Sequence, residues 1–355
     1  MRKSASWIAL ALYVMLSLTT SVVATAVSSE QVYTQLKPEG SYKAVMTPLK
    51  KHLIGTINII DGYGSFPLSD ADVCDKSGVT IWPSGSNSYR FSIGCGAPQE
   101  INLFYVYQHP ADYAQKVELQ ILLDYEPVAF RVDKAAPQRS YTFTAGPESV
   151  RFIPITIPAP QKKAELHDLI FIRKETGDGP QAGDISSGRR YSISTRMETH
   201  VLLHAAGCSP NQPPYVIHKL ERQLTFIERL RASFLKGRFY VFSAGINKKP
   251  SPPWETNPLV ATAGKKVTIY VNFITSETGQ WAGLLFLDNK VIPHSANQSA
   301  VFWQSKAYGL MTAAFIVQLP DQKGIHTLTF KAFCDVYQTE ARLFSNERQF
   351  QIELR

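Results

Sequence analysis

The chain repeats itself. Residues 101–107 (INLFYVY) lead through a polar stretch to residues 119–128 (LQILLDYEPV), and residues 267–273 (VTIYVNF) lead the same way to residues 283–292 (GLLFLDNKVI). Both second runs pass through a Leu-Asp pair, Leu123-Asp124 and Leu287-Asp288, then turn and resume with an apolar residue. An aspartate at that point can accept a hydrogen bond from the backbone two residues on and open a turn. Residues 151–158 match residues 312–320 when aligned on their closing prolines, and residues 166–171 match residues 325–330. Each half ends in one more strand, residues 190–204 and 348–355. A repeat of this length exceeds the ~20–50 residues of a solenoid unit and reads as a duplicated domain.

The runs have the period of strands. Between Ile193 and Leu203 the odd positions Ile193, Met197, Val201 and Leu203 are apolar, and the even positions include Ser194, Arg196, Glu198 and His200. Period two sends those sets to opposite faces, the even one reading as a polar outer face. The 16 Tyr, 19 Phe and 22 Pro favour strands and turns over helices. Short strands at regular spacing, with Pro, Gly and Asn between them, predict a sandwich.

The stretch Gly324-Ile325-His326-Thr327-Leu328-Thr329-Phe330, following Leu319-Pro320, resembles the penultimate strand of bacterial immunoglobulin-like domains. The first half shares it only through residues 166–171, without the glycine. The resemblance implies a fold and transfers no functional residue. The expected class is therefore mainly all-β: two tandem immunoglobulin-like β-sandwich domains, joined by an amphipathic linker helix, after an N-terminal signal peptide.

The expected divisions are a signal peptide at 1–26, a lead-in at 27–52, a first sandwich at 53–207, a linker with its helix at 208–237, and a second sandwich at 238–355. Arg2 and Lys3, the apolar run from Trp7 to Leu18, and Ala24-Thr25-Ala26 have the order of an export signal, with an uncleaved anchor as the competing reading. The first sandwich opens on a strand from about Leu53 and carries an extra hairpin from 79–82 and 89–93. In the linker, Leu220, Leu224, Ile227, Leu230 and Phe234 form one stripe of a helix over 215–236, with Gly237 as its stop. The other face is basic, with Lys219, Arg222, Arg229, Arg231 and Lys236. A helix docked on a domain and a membrane-surface or partner helix both fit that pattern.

Net charge is +8, or +6 once Arg2 and Lys3 leave with the leader. Mild basicity without a dense cluster argues against nucleic acid. Of the four cysteines, Cys74 and Cys95 share a hairpin-like stretch and form the preferred pair, leaving Cys208 with Cys334; buried thiols are the other reading. His200 and His204 share a strand face beside Glu198 but lack a metalloprotease pattern. Asp70, Asp72 and Asp75 lack the spacing of a calcium loop. His167 and His326 hold equivalent repeat positions and read as geometric rather than catalytic. No catalytic residue, cofactor or metal ligand is assigned.

Trp82, Trp254 and Trp281 are the candidate ligand-binding residues, since sugars stack on exposed aromatic faces; packing is the competing reading. The expected function is an exported, non-catalytic binding or structural protein of the cell envelope or extracellular space, offering loops or edge strands to a protein partner. A carbohydrate-binding module and an enzyme with an interdomain-cleft site are the alternatives.

Overall fold

The computed structural model describes residues 31–33, 57–62, 80–81, 88–94, 100–109, 113–147, 149–160, 164–176, 196–208, 222–235, 240–251, 258–275, 278–295, 298–334 and 345–355. Residues 1–26, the expected signal peptide, lie outside that set. The described residues are nearly all strand and form two immunoglobulin-like sandwiches, each with its own buried core.

In the first, one sheet runs in the order β1 (Gln31–Tyr33), β10 (Ser149–Pro158), β5 (Glu100–His109), β2 (Ile57–Gly62), with β8 (Arg131–Val132) also on β10. The facing sheet runs β3 (Thr80–Ile81), β4 (Ser88–Gly94), β12 (Arg196–Ala206), β11 (Leu166–Thr176), β6 (Gln115–Leu123), β7 (Glu126–Pro127), with β9 (Ser140–Ala145) also on β6. In the second sandwich, β13 (Arg222–Gln223), β20 (Gly309–Gln318), β16 (Lys266–Thr275) and β14 (Tyr240–Ile246) form one sheet. The other is β15 (Leu259–Ala261), β22 (Ser345–Leu354), β21 (Gly324–Cys334), β17 (Gly279–Leu287), β18 (Lys290–Ile292), with β19 (Val301–Ser305) also on β17.

The duplication holds down to register. Leu169 faces Leu123 across β11 and β6, and Leu328 faces Leu287 across β21 and β17. Ser149 faces His109, and Gly309 faces Thr275. The last strand of each sandwich takes a parallel neighbour, β4 on β12 and β15 on β22. One difference stands out: β2 runs parallel to β5, whereas β14 runs antiparallel to β16. The ladders also correct the proline-based alignment. Pro158 faces Glu100 where Gln318 faces Lys266, so Pro158 corresponds to Gln318 and not to Pro320. A slip of two residues preserves the inward–outward alternation, so the hydrophobic pattern could not reveal it.

Two expectations about the connections change. Part of the lead-in is a strand, β1, paired with β10, and β13 repeats that pairing on β20. The helix, α1, spans only Phe226–Leu235. Its start is set by a capping box: the Glu228 amide donates to Thr225 Oγ1 at 3.3 Å, and the Thr225 amide donates to Glu228 Oε2 at 2.9 Å. Arg222 grips the same carboxylate through two bonds of 2.6 and 2.7 Å. That guanidinium holds the Glu228 carboxyl down at about 2, against the opposing effect of burial, with Thr225 adding to the lowering.

Core volume is conserved by exchange. Leu119 of β6 corresponds to Gly283 of β17, and Phe143 of β9 to Trp303 of β19. A Cβ on Gly283 would meet Phe330 Cζ at 2.6 Å and Trp303 Cζ3 at 2.8 Å, so the larger indole fills the space a side chain would need. Gly283→Ala is expected to destabilise the second sandwich by about 1–3 kcal/mol through overpacking. Gly146→Ala, whose Cβ would meet nothing within 4 Å, is expected to be near neutral. Denaturant unfolding of the two variants beside the parent checks the contrast.

Candidate functional site

Strand alternation leaves each sandwich one outward face per sheet, and on the sheets that hold β6 and β11 and β17 and β21 that face carries apolar side chains. Leu122 and Ile170 and Ile172 of the first sandwich, with Tyr125, form one buried cluster with Ala282, Leu284, Phe286, Ala300, Phe302 and Phe333 of the second. The Tyr125 ring meets Phe302 edge-on at 5.6 Å and Phe333 at 5.5 Å. The seam is apolar at its centre and hydrogen-bonded at its rim. Gln120 Nε2 donates to the Asn289 carbonyl at 2.9 Å, and the Ser299 amide donates to Glu126 Oε1 at 2.7 Å. Corresponding faces meet, since Leu122 and Phe286 are the same position of the repeat.

The turns that reach into this seam are held by a duplicated device. Asp124 and Tyr125 have φ of 52° and 66°, and Asp288 and Asn289 have 45° and 73°. Side chains resist that region, and left-handed backbone costs roughly 1–2 kcal/mol per non-glycine residue. A clamp offsets the cost. His167 Nδ1 is 2.8 Å from Asp124 Oδ2, and His326 Nδ1 is 2.6 Å from Asp288 Oδ2. The other carboxylate oxygen accepts the amide of Asp168 at 3.2 Å or of Thr327 at 2.9 Å. The aspartate therefore ties its turn to the neighbouring strand rather than to the backbone two residues on. In the first turn Tyr125 Oη donates to Asp168 Oδ2 at 2.6 Å, which fixes the ring that the second sandwich packs against.

His326 also faces the Gln322 carbonyl through Nε2 at 2.9 Å. Carboxylate and carbonyl both accept, so the ring donates from both nitrogens and is held as the cation. Its pKa is raised accordingly, chiefly by the hydrogen bond to Asp288, with burial opposing.

The two halves differ most at one end of their cores. In the first, Arg173 is fully buried, with Nε 3.3 Å from Glu175 Oε1 and its guanidinium 5.3 Å from the centre of the Tyr107 ring. Tyr107 Oη donates to Glu175 Oε1 at 3.0 Å. His109 is buried, stacks beside Tyr107, and donates from Nε2 to the Tyr113 carbonyl at 2.6 Å, with Nδ1 buried. The second half has Phe273, Ala332 and Cys334 where the first has Tyr107, Arg173 and Glu175. The fold does not need ions at this level, and the first half keeps them. Chemically this layer is a compensated ion pair with an oriented tyrosine and imidazole.

Several expected residues are placed differently. Trp281 is buried and offers no sugar platform. It packs on Phe273 and Trp303, and its Nε1–H donates to Ser305 Oγ at 2.9 Å. As an inward position of β17, it belongs to the core by alternation alone. Trp82 and Trp254 lie outside the described residues, as do Cys74, Cys95, Asp70, Asp72 and Asp75. Cys334 is a buried thiol of the second core and does not bridge to Cys208. Cys208 is not a free thiol. His200 is buried against Phe333 at 5.6 Å, so the expected polar outer face is covered by the second sandwich there. Among the described residues no cluster of three metal-ligating side chains forms. Sequence reading missed Arg173 and Glu175. The available signal was a charged pair at inward strand positions where the repeat has Ala and Cys.

No protein family matches the chain. No curated protein matches it either. Among solved structures, the chaperone DraB of E. coli is 11% identical, with 84% of this chain and 100% of that one covered at a TM-score of 0.21. The CupB2 chaperone of Pseudomonas aeruginosa is 12% identical, covering 74% and 97% at 0.19. The CARDB domain of the PF1109 protein from Pyrococcus furiosus is 13% identical, covering 32% and 86% at 0.20. At these TM-scores none of them carries an argument about this chain.

Two outcomes are expected. Arg173→Met strands a buried carboxylate and costs about 3–5 kcal/mol, whereas Arg173→Met with Glu175→Leu recovers most of it, as measured by chemical unfolding. The raised pKa of His326 makes its clamp fully stabilising below the ordinary value of 6.5 and progressively less so as pH rises through the higher folded value. The gap in melting temperature between the parent and His326→Gln should therefore shrink as pH rises through that window; a gap independent of pH would contradict the charged clamp.

Proposed function

We infer that the chain is an exported, non-catalytic binding or structural protein of the cell envelope or extracellular space, which fixes two sandwiches as one body and offers a sheet edge to a protein partner. The observation that carries the reading is the seam. Tandem modules that only need linking use a tether, whereas here one outer sheet face of each half is spent on an apolar contact with hydrogen bonds at its rim. Such a body suits presentation, since a fixed surface loses less entropy when it docks.

The edge best suited to a partner is that of β22. Among the described residues its outer side is paired only over Ile352–Leu354, by β15, whereas β12 takes β4 along His200–Ala206. An open strand edge accepts an added strand through main-chain hydrogen bonds. Gln349 and Gln351 are exposed on that strand.

The test is affinity capture from envelope and secreted fractions with the parent and with Gln349→Lys/Gln351→Lys, whose charges oppose edge pairing. A protein recovered by the parent and lost with the variant is expected. Equal recovery by both would contradict the edge, and recovery of no protein alongside a measurable turnover would contradict the non-catalytic reading.

A further inference from the structure

The helix α1 does not bury its apolar stripe where a docked linker would. Its entry is fixed to the second sandwich. Arg222 and Gln223 pair with β20, and Leu224 is buried with Ile274 and Leu310. Arg229 Nε donates to the Leu224 carbonyl at 3.0 Å, and its guanidinium lies 5.6 Å from the centre of the Tyr308 ring. From that mooring, Phe226 is 77%, Ile227 64% and Leu230 48% exposed. The other exposed large apolar side chains, Val260, Ile316 and Ile325, are scattered on three strands. A short ridge of three on a ten-residue helix is concentrated, and concentration marks a contact surface.

Charge identifies the occupant. Residues 222–238 contain Arg222, Arg229, Arg231, Lys236 and Arg238 against Glu228 alone, a net +4. Glu228 is already taken by Arg222, and Lys219 and Glu221, just before this stretch, cancel and leave the balance at +4. An apolar ridge in a stretch of net positive charge is complementary to a surface that is apolar below and negative at its rim, which describes an anionic lipid interface. A protein groove would need acids aligned with scattered cations, whereas lipid headgroups rearrange to meet them. The helix is too short to span a bilayer, so it lies in the interface.

We propose that α1 seats the protein on anionic lipid, with Phe226 and Ile227 entering the headgroup boundary and the surrounding basic residues meeting lipid phosphates. The seat orients the two-sandwich body, because β13 and Leu224 moor the start of the helix to the second sandwich.

The test is hydrogen exchange of the full chain, read on peptides covering residues 222–238, so that any contribution of the apolar N-terminal residues does not enter. Vesicles of mixed phosphatidylcholine and phosphatidylglycerol are expected to slow exchange there, and vesicles of phosphatidylcholine alone are not. Phe226→Gln/Ile227→Gln keeps helix-forming residues and is expected to abolish the slowing. Arg231→Gln/Lys236→Gln keeps the ridge and is expected to weaken vesicle affinity about fivefold for each charge removed. Exchange unchanged by the mixed vesicles overturns the proposal, as does equal slowing by both vesicle types. Protection seen without lipid and lost on dilution assigns the ridge to a second copy of the chain and also overturns it.

Discussion

The apolar seam between the outward sheet faces is the contact on which the rest of the molecule depends. Taken apart, each sandwich would show water a row of large side chains: Leu122, Ile170 and Ile172 on one, Leu284, Phe286, Phe302 and Phe333 on the other. Burying a side chain of this size contributes about 1.5–3 kcal/mol. The seam also explains features that look unrelated. The strained turns at Asp124 and Asp288 are the points where each half reaches across, so both are clamped by a histidine.

Duplication followed by divergence accounts for the second pattern. Positions that set strand pairing stayed equivalent, while one core level changed chemistry entirely, from Tyr107, Arg173 and Glu175 to Phe273, Ala332 and Cys334. Buried ions are seldom kept for stability, because desolvation cancels much of their attraction. Their retention in one half alone means that the two ends of the body are chemically distinct despite a shared scaffold.

The sequence showed the class of fold and the repeat because period-two alternation is written directly into residues such as those of β12 and β21. It showed the geometric role of His167 and His326 through their equivalence. It did not show the seam, since an outward apolar residue such as Ile170 or Phe333 reads the same whether it faces a core or a neighbouring domain. His200 was assigned to a polar face for that reason. Trp281 reads as a candidate sugar platform because it precedes the apolar run at 283–287, yet its strand already begins at Gly279. The helix was drawn too long because Leu224 fits the stripe, although it is buried before the helix begins; the Thr225-to-Glu228 capping box marks the true start.

The central claim is that two sandwiches of one ancestry form one rigid body through corresponding faces. Residual dipolar couplings measured on backbone amides of both halves, in one aligning medium, test it most directly. The account predicts a single alignment tensor, equal in magnitude and orientation for the amides of β5, β6 and β11 and for those of β16, β17 and β21. Two tensors of different magnitude would contradict it, because they would mean that the halves tumble independently and the seam is not held.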